Sequence, residues 1–338
     1  MAKILIVADY RSQFYSSTRS RGSSLDIEQI AHEFGSLGHS VEVSQFARVQ
    51  NRDCKGVYVL YQSSEDQSLH YKQYIEDVLL GLQLRGAILV PRFEMFRAHH
   101  NKTFMEILRA ISGAGADVTS RSYGTFEEYI EDDALVEYPV VIKGSEGSRS
   151  RQVFLARDKQ EADRIARKVS STPSAFNLLM EIRSFIDGRG YVPVSDHRRR
   201  FIVQRFVHGL SGDFKVLVYG ENYFVLFREN RNNDFRASGS GKLSFPEVVP
   251  SAVLDEAKRI YSVFNVPYVS LDIGYDGIKI HLLEFQFVQF GQYAVEKSPH
   301  RFRWSNERWE LIRGTTTAES EIAASVHAFI QNGGISCH

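Results

Sequence analysis

Cysteine is scarce in this sequence. It occurs twice in 338 residues, at Cys54 and Cys337, too far apart to suggest a disulfide framework or a spaced zinc site. Net charge is absent as well, since 41 Lys and Arg offset 41 Asp and Glu. Bulk electrostatics therefore favours neither nucleic acid nor an anionic membrane surface as a partner. No apolar run approaches the roughly 20 residues that span a bilayer. The start, Met1-Ala-Lys-Ile-Leu-Ile-Val7, turns polar at Asp9-Tyr-Arg11 instead of continuing as a secretory leader. The expectation is a soluble, cytoplasmic chain with no nucleic-acid and no membrane partner. A local basic run, His197-Arg-Arg-Arg200, is the one exception to the charge balance, and a solvated turn before a strand is its plainer reading.

What the sequence has is 43% hydrophobic residues, enough for a sizeable core, over a length that favours two or three lobes. Ile4–Ala8, Val41–Phe46, Val57–Tyr61 and Ala87–Val90 read as strands, the last stopped by Pro91. Between them lie helical faces. One has Leu25, Ile27, Ile30, Ala31, Phe34 and Leu37 behind a capping signal at Ser23-Ser-Leu-Asp26. The other has Tyr71, Tyr74, Ile75, Val78, Leu79 and Leu82. Strands alternating with helices imply a parallel sheet, whose ligands bind past the carboxyl ends of the strands. The loop Asp9–Ser24, with Arg11, Arg19 and Arg21, and the segment Gln62–Asp66 both lie there and can hold substrate; Arg19 and Arg21 are the candidates, an ordinary flexible loop the alternative. No G-x-G-x-x-G follows the first strand, which argues against a nicotinamide dinucleotide.

In the middle of the chain, Asn101-Lys102 opens a helix with Phe104, Met105, Ile107, Leu108 and Ile111 on one face. Tyr138–Lys143 is a strand ending in a lysine. A small-residue loop, Gly144–Ser150, follows, and the chain returns as Gln152–Leu155. Lys143 can place its ammonium on a nucleotide phosphate, and the loop can donate backbone N–H groups. The lysine precedes the glycines, so this is not a P-loop, and a plain Gly/Ser hairpin is the alternative. Residues 171–196 are open: Asn177–Ile186 fits a helix or a strand. Phe201–Val207 is a firm strand.

Phe214–Tyr219 and Tyr223–Phe227 predict a hairpin around Gly220-Glu-Asn222. Beyond it, Arg228–Gly241 packs three arginines, one aspartate and two glycines into fourteen residues. Arg228 and Arg236 can grip anions, and the backbone of Ser238-Gly-Ser-Gly241 can approach one closely; a solvated hairpin loop is the alternative. Tyr268–Ile273 and Ile278–Gln286 predict antiparallel strands around Tyr275-Asp-Gly277. Glu284 and Gln286, two apart, share a face, and Asp272 can face them. Two carboxylates and an amide oxygen among apolar neighbours suit a hard cation such as Mg²⁺.

In their order and spacing these segments resemble the ATP-grasp superfamily from about Asn101 to Gly291, with weaker agreement before it. Asn101-Lys102 resembles the family's first nucleotide lysine and Pro139–Lys143 its second. Gly144–Arg151 resembles the loop that covers the phosphates, which implies contacts at Gly144, Ser145, Gly147 and Ser148. Val203–Val207 resembles the strand that contacts adenine, through Gln204, Arg205, Phe206 and Val207, with Arg205 where an acidic residue is usual. Gly212-Asp213-Phe-Lys215 resembles a D-x-R segment, with lysine for arginine. Arg228 and Asn233-Asp-Phe-Arg236 resemble the arginine motif of ligases such as the ribosomal-protein glutamate ligase. Leu271-Asp272-Ile and Leu283-Glu284-Phe-Gln286 resemble the magnesium motifs, with Gln286 in place of asparagine.

The resemblance implies an α/β protein of three lobes: a parallel-sheet domain at 1–95, a central ATP-binding α+β lobe at 96–207 and a C-terminal α+β lobe with the metal site at 208–338. It implies ATP with Mg²⁺, or Mn²⁺, and small-molecule carboxylate and amine substrates; a homodimer stays open. Lys102 and Lys143 would neutralise phosphate charge while a carboxylate attacks the γ-phosphorus. An amine would then displace phosphate from the acyl phosphate. Arg228 would stabilise the transferring group, and Arg236 with Ser238, Gly239, Ser240 and Gly241 would seat the carboxylate. The loop 9–24 and Tyr293, His300, Arg301 and Arg303 would recognise the rest of the substrate, unless the last group is a surface segment wrapping the core. A small-molecule kinase and a nucleotide-binding protein without turnover remain alternatives on the same scaffold.

Overall fold

Ile4-Leu-Ile-Val-Ala8 is apolar at every position, as a strand covered on both faces must be. It lies inside a parallel sheet of order β4 (Ser40–Gln45), β1 (Lys3–Ala8), β5 (Tyr58–Tyr61), β6 (Ile88–Val90). The computed structural model describes residues 1–15, 24–64, 66–115, 118–132, 137–146, 152–188, 194–232, 234–237 and 239–334. These divide into two compact units, Met1–His99 with Gly209–His338, and His100–His208.

In the first unit, alternate residues of the parallel sheet feed two cores. Leu5, Val7, Val59 and Tyr61 pack with Ile75, Val78, Leu79 and Leu82 of α3 (His70–Leu84) and with Phe46 of α2 (Phe46–Val49) and Phe96 of α4 (Phe93–Ala98). Ile4, Ile6 and Leu60 face the other way, onto Ile30 and Phe34 of α1 (Ile27–Ser36). Asp26, rather than a serine, caps α1 by accepting from Gln29 N. The preceding residues form a short ribbon, β2 (Phe14–Tyr15) with β3 (Ser24–Leu25).

The same unit holds an antiparallel sheet of order β15 (Ile280–Gln286), β14 (Tyr268–Tyr275), β11 (Gly212–Tyr219), β12 (Asn222–Glu229), β16 (His300–Ser305), β17 (Arg308–Arg313), with β13 (Leu243–Ser244) also on β12. Helix α9 (Ser251–Phe264) packs on β11, β14 and β15, with Phe264 against Phe285 at 4.8 Å. The short α10 (Tyr293–Lys297) follows β15. Leu217, Tyr219 and Tyr268 share a core with Ile322 and Val326 of α11 (Ala318–Gln331), and with Ile4, Ile6 and Phe34. One core thus joins the first hundred residues to the last.

The second unit is an antiparallel sheet of order β7 (Ser120–Tyr123), β10 (Phe201–Arg205), β8 (Val140–Gly144), β9 (Val153–Ala156). Tyr123, Ile142, Phe201 and Val203 pack with Phe126 and Tyr129 of α6 (Phe126–Glu131) and Ile165 and Val169 of α7 (Lys159–Ser170). Helix α5 (Lys102–Ser112) begins at Asn101, whose side chain accepts from Phe104 N. The open stretch is a helix, α8 (Ala175–Asp187), capped by Ser174 and ended at Gly188 with φ 60°. It is turned inside out. Asn177 is buried and bonded to Asp196, whereas Phe176, Leu178, Leu179, Ile182, Phe185 and Ile186 are exposed.

Two expectations change. Residues past Gly291 do not merely wrap the core, because β16 and β17 extend the antiparallel sheet. Arg301 and Arg303 both donate to Asn222 Oδ1, and His300 is buried, so these side chains are engaged in holding the sheet. Arg228 also lies on β12, not in the loop beyond it. Among the described residues no helix is long and apolar enough to cross a membrane.

Candidate functional site

Residues directly opposite on antiparallel strands point to one face. On β11 that face runs Tyr219, Leu217, Lys215, Asp213. Tyr219 lies opposite Tyr268, Leu217 opposite Phe224 and Ser270, Lys215 opposite Leu226 and Asp272, and Asp213 opposite Arg228. Farther along the row, Asp272 pairs with Glu284 and Ser270 with Gln286. The face is therefore apolar and covered at one end and charged at the other. The structure brings Asp213, Lys215, Arg228, Asp272, Glu284 and Gln286 onto one surface patch of one sheet.

Two backbone features hold this patch in register. Leu283 is the extra residue of a bulge between Asp272 and Ile273, which aims Glu284 at Asp272. Gly212 lets β11 and β12 close: a Cβ there would sit 2.2 Å from the carbonyl oxygen of Arg228.

The side chains form a connected network. Arg228 Nε donates to Asp213 Oδ1 at 2.6 Å, and Nη2 to Asp213 Oδ2 at 2.8 Å. Nη2 also lies 2.7 Å from Asp272 Oδ2. Lys215 Nζ donates to Ser270 Oγ at 2.8 Å and to Asp272 Oδ1 at 3.3 Å. Gln286 Nε2 donates to Glu284 Oε1 at 3.2 Å. Ser270 was not among the expected residues, although its place two before Asp272 on the same strand puts it on the same face.

Burial pushes the carboxyl of Asp272 up, but Arg228 and then Lys215 outweigh it and hold it down at about 2. For Asp213 burial wins over Arg228, and the nearby Asp272 charge adds to it, so its pKa is raised. Arg228, between the two, is held charged despite its burial. Three carboxylates, Asp213, Asp272 and Glu284, thus face two cations, Arg228 and Lys215.

The donor chemistry fits a hard divalent cation. Asp272, Glu284 and Gln286 offer oxygen, and each carboxylate has about four lone-pair positions, more than the contacts above use. Among the described residues no group of three His, Cys, Asp or Glu side chains is arranged as a metal cage. The set is two carboxylates and an amide, which leaves positions for phosphate oxygens and water, as Mg²⁺ prefers.

In the second unit, Ser145, two residues past Lys143, anchors the start of α5. Its carbonyl accepts from Lys102 N at 3.0 Å, and its Oγ accepts from Thr103 N at 3.2 Å. Gly144 ends β8 and Lys143 lies opposite Ile202 of β10. Gln204 lies opposite Val141, so Lys143 and Gln204 share a face. Gln204 is buried, with Nε2 lacking a hydrogen-bond partner among the described residues. An orphaned buried amide is costly and suits a nucleobase edge. Arg205 is exposed, its N–H bonded to Thr119 O, and Phe206 and Val207 are half-buried.

Arg228 and Arg236 each pair with carboxylates of their own, Arg228 with Asp213 and Asp272. Arg236 folds onto Asp234, at 2.6 Å. Gly239 and Gly241 have φ of 76° and 77°, with Ser240 between them donating its N–H to Ala237 O. Arg19, Arg21, Gly147, Ser148 and Ser238 lie outside the described residues.

No family model matches the sequence, and no curated protein matches it. Solved structures do. The D-cycloserine synthetase DcsG matches with a TM-score of 0.56 at 11% identity, over 97% of this chain and 99% of that one. A RimK domain protein ATP-grasp from Sphaerobacter thermophilus gives 0.52 at 14%, again over 97% and 99%. The chain has the ATP-grasp fold. The ATP-grasp ligase PsnB, with a minimal precursor, Mg and ADP, gives 0.52 at 13%, over 97% of this chain and 98% of that one. The ATP-grasp likeness therefore takes in the parallel sheet as well as both antiparallel sheets. At these identities it speaks for the fold.

Proposed function

We propose that this chain is an ATP- and Mg²⁺-dependent ligase that joins a carboxylate to an amine through an acyl phosphate, releasing ADP and phosphate. The observation that carries the reading is the charged end of the antiparallel sheet, where Arg228 is locked between Asp213 and Asp272 beside Glu284 and Gln286. A preorganised, desolvated guanidinium is what a transferring phosphoryl group and a developing oxyanion require. The ATP-grasp fold, shared with solved ligases, supports the same reading.

In this mechanism Lys102 and Lys143 neutralise phosphate charge, and Gln204 reads the nucleobase edge with Arg205, Phe206 and Val207 beside it. Asp272, Glu284 and Gln286 hold Mg²⁺, which when bound neutralises phosphate charge. Asp213 positions Arg228, and Lys215 positions Asp272. Arg228 stabilises the phosphoryl group as the carboxylate attacks, then the oxyanion as the amine displaces phosphate. Arg236 and the Gly239–Gly241 backbone seat the carboxylate.

The test is turnover with Mg-ATP, a carboxylate pool and hydroxylamine as surrogate amine. ADP together with a hydroxamate supports the ligase. ADP with a stable phosphate ester and no hydroxamate overturns it in favour of a kinase.

A further inference from the structure

The strand order β4-β1-β5-β6 reverses direction between β1 and β5, and open parallel sheets bind ligands past the carboxyl ends at such a switch point. Here β1 runs into Asp9-Tyr10-Arg11 and β5 into Gln62-Ser63. A third segment meets them. Three residues after Gln286, Gln289 donates its backbone N–H to Gln62 Oε1 at 2.6 Å, deep in the protein.

Gln289 is unusual in two respects. Its backbone has φ 49°, a left-handed conformation that glutamine rarely adopts. Its side chain is only 3% exposed, yet neither Oε1 nor Nε2 has a hydrogen-bond partner among the described residues. Ser63, 5% exposed, has an unpartnered Oγ as well. Burying an unmet polar atom costs roughly 1–3 kcal/mol, so three of them at one switch point call for a partner.

We infer that this switch point seats an uncharged amide group of the substrate, a peptide or carboxamide, paired edge to edge with the Gln289 side chain. Oε1 needs a donor and Nε2 an acceptor, and a planar amide offers both. An aliphatic group would leave both unmet, and a carboxylate would set an anion against Oε1. The charges nearest in sequence do not compete for the ligand, because Asp9 Oδ1 and Oδ2 already accept from the backbone of Arg11 and Gln13 and from Arg11 Nε. Ser63 adds a hydroxyl that can serve either end. Three residues of chain span roughly 10 Å at most, so Gln289 lies within a short peptide's length of Gln286. The amide-bearing substrate would thus reach the charged patch. That last link rests on the ligase reading; the amide pocket itself does not.

The experiment measures binding to the full chain without nucleotide, by saturation-transfer NMR with pooled capped dipeptides covering all side chains, then with the ester isostere of the best binder, in which oxygen replaces the amide N–H. Wild type should bind dipeptide at least tenfold more tightly than ester. Gln289→Met, which keeps volume, should lose that preference, and Ser63→Ala should weaken both ligands without abolishing it. Binding of a fluorescent ATP analogue reports whether each variant is folded. No dipeptide binding, equal binding of amide and ester, or a preference that survives in Gln289→Met overturns the inference. If dipeptide binds with the expected preference but no hydroxamate forms with ATP, the pocket stands and the ligase reading falls.

Discussion

Arg228 bridges two carboxylates, reaching Asp213 Oδ1 through Nε at 2.6 Å and Asp272 Oδ2 through Nη2 at 2.7 Å. The bridge spans three strands, since Asp213, Arg228 and Asp272 lie on β11, β12 and β14. It sets the orientation of the cation on which the proposed chemistry depends.

Removing that cation takes the ion-pair partner from buried Asp213 and leaves Asp272 with Lys215 alone. Arg228→Met should lower the unfolding free energy by roughly 3 kcal/mol and turnover by about a hundredfold or more. Arg228→Lys should keep most of the stability but lose much of the rate, because an ammonium cannot fork between two carboxylates. Urea unfolding and ADP release measure the two effects. An unchanged midpoint in Arg228→Met would contradict the bridge.

Acid should dismantle the same network. The folded pKa of Asp272, about 2, lies below its ordinary 3.8. A depressed carboxyl contributes stability that is complete above the unfolded value and lost as pH falls through the folded one. The loss should be roughly 2 kcal/mol, read from unfolding free energies between about pH 5 and pH 2. Asp272→Asn should lack this step. Asp213, whose pKa is raised, acts in the opposite sense, so Asp213→Asn should leave the step in place.

Glu284 is half-buried and bonded only to Gln286 among the contacts of the patch. Glu284→Gln keeps its volume and removes its charge. The Mg²⁺ concentration for half-maximal turnover should rise roughly tenfold or more with the melting temperature unchanged. A variant with wild-type Mg²⁺ dependence would remove Glu284 from the metal set.

A second pH response belongs to the core that joins the chain's two ends. His39 Nε2 lies 2.8 Å from Nδ1 of His327 on α11. Burial, followed by the His327 charge and the amino terminus, lowers the pKa of His39 from 6.5. Below that value the unfolded chain takes up the proton more readily, so stability should fall as pH drops from neutrality. Melts at neutral and mildly acid pH should show this in wild type and show it less in His39→Gln.

Much of this was legible in the sequence, for identifiable reasons. Glu284 and Gln286 could be set on one face because strands have a side-chain period of two, and Tyr275-Asp-Gly277 marks the turn that returns them beside the strand of Asp272. The bulge at Leu283 that sets Glu284 opposite Asp272 has no local signal. The parallel sheet followed from alternating strand and helix patterns. Arg228 was misread as a loop residue because its partners, Asp213 and Asp272, are fixed by the strand order β14-β11-β12, which local pattern does not encode. Helix α8 stayed open because its outward residues are apolar and its inward Asn177 is polar, the reverse of the usual period. The β16 strand carries the period-two signal, His300, Phe302 and Trp304 alternating with Arg301 and Arg303, so it was legible in the sequence. Nothing local marked Gln289, whose isolation is a property of packing alone.

The most direct test of the central claim follows one oxygen atom. Substrate carboxylates labelled with heavy oxygen are incubated with the protein, Mg-ATP and an amine pool, and the released inorganic phosphate is analysed by mass. An acyl-phosphate ligase must transfer one carboxylate oxygen to phosphate each turnover, so label in phosphate, equimolar with ADP, is the predicted result. ADP formation with unlabelled phosphate, or with the label retained in a phosphorylated product, would contradict the account.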